Sequence, residues 1–196
     1  MKRAFTIIMS CLISGNCLHA QPWAKEQLEQ ANTAQDYEYV TDEEKAIVQY
    51  INLCRMYPKQ FAVNEVKPYR GIPGLKYKGF AKYKASLIKD LLARQPCGAF
   101  EFDENMYDDA ECYAAEISKN KRAMHQRKIC EKNQYAENLY FGKGSGKEIV
   151  LEWLVDCGIA NLGHRKNCLN KNYGGMGAKM DTHYEYGHCA VAEFGE

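Results

Sequence analysis

Net charge is the first thing this sequence lacks: 26 lysines and arginines stand against 25 aspartates and glutamates in 196 residues. A nucleic-acid binder draws much of its affinity from neutralising phosphates and carries a basic footprint, so no nucleic-acid partner is expected. Long uncharged apolar stretches are missing too. The run Ala4 to Ile13 falls well short of the roughly 20 residues that a membrane-spanning helix needs, and no later stretch is both that long and uncharged. There is no internal repeat or low-complexity tract, and no Cys-x-x-Cys pair among the nine cysteines. The glycine-rich stretch Gly142 to Lys147 sits between a strand-like and a helix-like segment but is not a phosphate loop. Such a loop needs four residues between its first glycine and Gly-Lys, followed by Ser or Thr, and Phe141 and Glu148 break the pattern.

What is present begins with a leader. Lys2 and Arg3, the apolar run, and the small residue Ala20 after Leu18-His19 follow the order of a secretory signal. The expectation is cleavage after residue 20, giving an exported chain that is secreted or periplasmic. A lipid anchor on Cys17 fits less well, because Asn16 precedes it where a small residue is needed. Removing 1–20 takes away two basic residues and no acids, leaving 24 against 25. It also removes Cys11 and Cys17, so seven of nine cysteines remain and an odd one must be free or pair between chains. Export permits disulfides, but spacing does not reveal their connectivity. About 176 residues suffice for one domain with a proper core.

Residues 21–40 are polar, without a clear apolar period, and read as a linker or loosely packed segment; the folded domain is expected over 41–196. Thr41-Asp42-Glu43-Glu44 is a capping box, followed by Ile47, Tyr50, Ile51 and Cys54 at helical spacing up to Pro58. Leu87, Ile88, Leu91 and Leu92 share one face of a second helix. Asp103 is placed to cap a third, with the stripe Met106, Ala110, Tyr113, Ala114 and Ile117. Tyr135 to Phe141, closed by Gly142, suits a buried strand. Ile149 to Cys157 has a helical face, with Gly158 placed as its C-cap. Gly174 to Thr182 and Tyr186 to Phe194 look like two strands joined by a tight connection. Helices flanking late strands imply a layered α/β domain.

Four side chains carry candidate chemistry. Glu137 is a carboxylate inside an apolar strand, where a charge is costly unless something neutralises it; an arginine such as Arg165 is one candidate. Asp156, extended along the helix at about 100° per residue, falls on the border of the apolar face, facing a cleft rim. His125 and His164 complete a mixture of two imidazoles and two carboxylates, suited to a divalent ion or to an acid and base at useful pKa values. His183, near the turn between the last strands, is a peripheral candidate; an exposed turn histidine is its plainer reading. His164 with Cys168 could ligate zinc, but two further ligands at characteristic spacing are missing.

Taken in order, Ile51-Asn52-Leu53-Cys54-Arg55-Met56-Tyr57-Pro58, His125, Ala136-Glu137-Asn138-Leu139, Trp153-Leu154-Val155-Asp156, Gly163-His164-Arg165 and Gly175-Met176-Gly177 to Glu193-Phe194-Gly195 resemble the signature of the CAP superfamily. That family is named for cysteine-rich secretory proteins, antigen 5 and pathogenesis-related 1. The likeness spans roughly 41–195, and Gly-His-Arg is similar to the bacterial branch. It implies a three-layer α-β-α sandwich with a mainly antiparallel central sheet. It also implies a cleft holding His125, Glu137, Asp156 and His164, able in some members to bind a divalent cation such as zinc, calcium or magnesium, with His125 and His164 as its ligands. Ala136 stands where glycine is usual, and Asp156 where glutamate is. The expected ligand is a small molecule, lipid or peptide. Two other functions are open: a peptidase with Glu137 or His125 as general base, although no nucleophile motif supports it, and a structural or adhesive exoprotein with a degenerate cleft.

Overall fold

The computed structural model describes residues 22–74, 78–119, 125–131 and 133–196; the leader expected over 1–20 lies outside them. Among the described residues no helix is long and apolar enough to cross a membrane. The architecture is mixed α/β.

The capping box forms as read. Helix α2 (Asp42–Met56) starts with Thr41 Oγ1 accepting from Glu44 N while Glu44 Oε2 accepts from Thr41 N. Before it, α1 (Lys25–Ala31) occupies the stretch expected to be a linker. Ala31, Ala34 and Val40 are buried in the main core, and Trp23 Nε1 donates to Glu65 at 2.7 Å. The buried Asn52 secures this segment, giving Nδ2 to Ala31 O and Phe100 O and accepting Phe100 N at 2.7 Å. Residues 22–40 are therefore part of the fold, held by tertiary hydrogen bonds that no local period announces.

A short α3 (Pro58–Phe61) with a π-helical continuation over Ala62–Val66, then α4 (Phe80–Ala93), lead to a two-residue strand β1 (Glu101–Phe102) and α5 (Glu104–Ile117). After β2 (Ala136–Gly142) come α6 (Gly146–Val155), α7 (Gly163–Cys168), β3 (Gly175–His183) and β4 (Gly187–Gly195). The sheet order is β1-β3-β4-β2, with β3, β4 and β2 antiparallel and β1 parallel to β3.

Strand alternation sends side chains to two apolar clusters. Leu139, Cys189 and Val191 meet Ala110, Tyr113, Ala114 and Ile117 of α5. Tyr140, Ala190, Ala192 and Phe194 join the larger core with α2, α4 and α6, where Trp153 is buried and donates to Leu139 O at 2.9 Å. Gly177 shows how closely α5 lies on β3: a Cβ there would stand 2.1 Å from the Tyr107 nitrogen.

Candidate functional site

The strand register places Glu137 on β2 directly opposite Glu193 on β4, on the sheet face that α5 covers. Two like charges facing across a pair of strands repel, so this site needs a cation. Arg127 supplies it. Its Nη2 donates to Glu193 Oε1 at 2.5 Å, Glu137 Oε2 at 2.8 Å and Asp109 Oδ2 at 2.7 Å, while Nη1 donates to Asp109 Oδ1 at 2.8 Å. The guanidinium also lies 4.4 Å from the ring centroid of Tyr113, a cation–π geometry. Its side chain is 6% exposed and that of Glu193 0%. His125, 59% exposed, brings Nδ1 to 2.6 Å from Glu137 Oε1. A carboxylate only accepts, so Nδ1 carries the proton there.

Helix α5 holds the Arg127 segment in place through three different ties. Asp109 takes the guanidinium, Cys112 forms a disulfide with Cys130, and Glu116 accepts the backbone N–H groups of Lys128, Ile129 and Cys130 at 2.7 to 3.1 Å. Burial works against ionisation of Glu116, but those backbone donors outweigh it and bring its pKa below the ordinary value.

The carboxyl groups at the centre are driven apart in the same way. Burial opposes ionisation of Glu137, yet hydrogen bonds from His125, Arg127 and Glu193 hold it below the usual carboxylate range. Glu193 is pushed well above that range, first by burial and then by the negative charge of Glu137. Geometry points the same way: Glu193 Oε2 is buried and meets no donor, and the residue directly opposite on β2 is Glu137, another acceptor. A proton on Glu193 relieves the repulsion between the two. His125, Arg127, Asn133, Tyr135, Glu137 and Glu193 line a polar cavity of about 230 Å³.

The other two predicted residues form a second pair. His164 Nδ1 lies 2.8 Å from Asp156 Oδ1, and Asp156 Oδ2 accepts Arg165 N at 3.2 Å. Asp156 does not line a rim. Helix α6 ends at Val155, and Asp156 is its left-handed cap with φ 56°, a conformation uncommon for residues other than glycine. Its side chain is only 1% exposed. Gly158, read as the cap, lies beyond it. Leu162 is left-handed as well, φ 54°, so the turn feeding α7 carries a strained residue at each end. Arg165 does not neutralise Glu137. It donates instead to Leu154 O, Val155 O and Tyr83 O, covering the carbonyl end of α6.

The four expected residues thus form two histidine–carboxylate pairs rather than one ring. They are close through the chain: Asn138 Nδ2 donates to His164 O at 3.1 Å, and Asn167 Nδ2 to Glu137 O at 3.3 Å. The cavity is lined by His125 and Glu137 but not by Asp156 or His164. Each imidazole Nδ1 faces its own carboxylate and the second oxygen of Glu137 is taken by Arg127, so ligation of an ion would fall to the two Nε2 atoms; among the described residues no group of three or more His, Cys, Asp or Glu could hold a metal. The His164–Cys168 zinc pairing fails too, since Cys168 is buried, accepts from Asn138 Nδ2 and has its thiol pKa pushed up by burial.

His183 is buried rather than exposed, its Nδ1 accepting the backbone N–H groups of Glu185 and Tyr186. It pairs with Gly187, six residues along β4 from Glu193, or roughly 20 Å at about 3.3 Å per residue. It therefore closes the hairpin and does not border the cavity.

Arg127, Asp109 and Glu193 escaped the sequence reading. Glu193 carried the same signal as Glu137, an acid alternating with Cys189 and Val191 on an apolar strand face. Arg127 lies in a charged stretch with no period to mark it. No protein-family model matches this chain, and no curated protein matches it.

Proposed function

We propose that this is an exported CAP-domain protein that binds a ligand in the cavity beside His125 and Glu137. Three features support the family reading: the ordered motifs, the placement of α5 and of α2 with α6 against opposite sheet faces as in a three-layer sandwich, and a mainly antiparallel sheet. The observation that carries the ligand reading is the acid-oriented imidazole of His125 at a polar cavity of about 230 Å³, a size suited to part of a small molecule or peptide side chain. His164 and Asp156 belong to the adjoining wall, where the strained turn fixes the ring. Titrating the isotope-labelled full chain with a library of small molecules, peptides and lipids tests this. Amide shifts should cluster on His125, Tyr135 and Glu137 and vanish in Glu137→Gln; shifts confined to other surfaces would count against the cavity. Export predicts that the protein recovered outside the cytoplasm begins at Gln21, as N-terminal sequencing would reveal.

A hydrolase reading is favoured by one feature, the carboxylate that orients His125 as it would orient a general base. Cleavage of a peptide library by wild type and its loss in His125→Gln would support it; equal rates for both would remove it.

A further inference from the structure

Arg127 lines this same cavity, and its role follows from that cavity being the binding site. Three carboxyl groups from three separate elements converge on one guanidinium: Asp109 from α5, Glu137 from β2 and Glu193 from β4. Such a convergence of acids would ordinarily call for a divalent ion, since buried like charges are tolerated only with a counter-charge among them. Here a side chain of the chain itself provides that charge, with the planar fork that suits bidentate contact to Asp109. The arginine is fixed before any ligand arrives. Lys128, Ile129 and Cys130 next to it are tied to Glu116, Cys130 is tied to Cys112, and the guanidinium rests on Tyr113.

We propose that Arg127 is the built-in cation of this cleft, taking the charge-balancing role of a divalent ion among Asp109, Glu137 and Glu193, so that this cluster of acids assembles without metal. Arg127 is thereby a positioning residue. It fixes the Glu137 carboxylate, which in turn orients His125.

The test uses full-chain protein at neutral pH, titrated with Mn²⁺, Ca²⁺ and Zn²⁺ and followed by isothermal calorimetry and, for Mn²⁺, electron paramagnetic resonance. Wild type should show no cation binding that Glu137→Gln removes, and its unfolding midpoint should not move when a chelator is added. Arg127→Leu, which leaves the three acids facing one another, should gain Mn²⁺ or Ca²⁺ binding at least tenfold tighter than wild type and unfold at a midpoint that rises with cation concentration. Arg127→Lys, which keeps a positive charge, should stay metal-independent. Should Arg127→Leu fail to fold alone, its recovery on refolding with Ca²⁺ gives the same answer. Wild-type binding of any of these ions that Glu137→Gln abolishes would overturn the inference, as would an Arg127→Leu protein that folds and still ignores cations. Either result leaves the cavity's ligand reading to its own titration, and failure of that titration leaves this result standing.

Discussion

The two histidine–carboxylate pairs are built in opposite ways. His164 and Asp156 are eight residues apart in sequence, and their geometry is local. A helix ends, two left-handed residues bracket a turn, and a short helix presents the ring. His125 and Glu137 depend on distance in the chain. The carboxylate stands on a rigid strand opposite Glu193, and the histidine arrives on a segment that α5 must hold down with an ion pair, a disulfide and a cradle of backbone hydrogen bonds. The local pair stores backbone strain but requires no remote partner. The remote pair is free of that strain but is only as firm as the ties of Arg127, Cys130 and Glu116.

Removing Arg127 should break the remote pair most severely. Truncation to alanine leaves buried acids without their cation, a situation that costs about 3–5 kcal/mol, so urea unfolding should show a loss of that order while the His164 ring signals keep their positions in the folded fraction. Opening the Cys112–Cys130 bond, by paired serine substitution or by reductant, frees a loop of sequence separation 18 and should lower stability by about 3 kcal/mol on the chain-entropy model. The His125 resonances should broaden in that form; if instead the His164 signals broaden, the division between local and remote pairs is wrong.

Glu193→Gln sharpens the comparison in the other direction. A carboxyl held above its ordinary 4.5 keeps, when folded, a proton that the unfolded chain gives up. Its burial therefore costs nothing below about pH 4.5 and costs progressively more as pH rises towards the folded value. Glutamine is permanently neutral and retains both the acceptor for Arg127 and a donor for Glu137. The variant should match wild type near pH 4 and exceed it by about 1–3 kcal/mol near pH 8. Glu137, whose pKa is depressed, has the opposite sign: the stability it contributes is present above about 4.5 and lost as pH falls through its folded value, in both proteins alike. A constant difference at all pH values would mean that Glu193 is ionised in the native state.

The smallest effect belongs to the local pair. Asp156→Gly removes left-handed strain worth about 1–2 kcal/mol and also the hydrogen bonds to His164 and Arg165. Stability should change by less than about 1 kcal/mol while the His164 ring loses its fixed orientation, visible as averaged side-chain couplings.

Sequence patterns carried much of the fold where one element determines itself. Thr41 and Glu44 mark the start of α2, the run Tyr186 to Phe194 marks β4, and Asp103 marks the start of α5, where it accepts from Met106 N. They failed where distant groups decide. The stretch around Trp23, Ala31 and Val40 has no period because Asn52 and Glu65, far along the chain, hold it. Two-residue β1 is too short to leave a pattern. At the site, Glu137 is legible as a charge in an apolar strand that needs a partner such as an arginine, but which arginine is not, since no local rule connects Arg127 to three acids on three elements. Asp156 was misplaced because extrapolating the helix to Cys157 took it past its true end, where a left-handed aspartate stands in the role usually given to glycine.

Side-chain carboxyl carbon NMR of the selectively labelled full chain, titrated across neutral pH, tests most directly the claim that one guanidinium and one shared proton hold this cleft together. One glutamate resonance should remain at the protonated position through neutral pH and disappear in Glu193→Gln, with Glu137 ionised throughout. If every glutamate instead titrates in the ordinary acid range, the Glu137–Glu193–Arg127 cluster is not assembled as described.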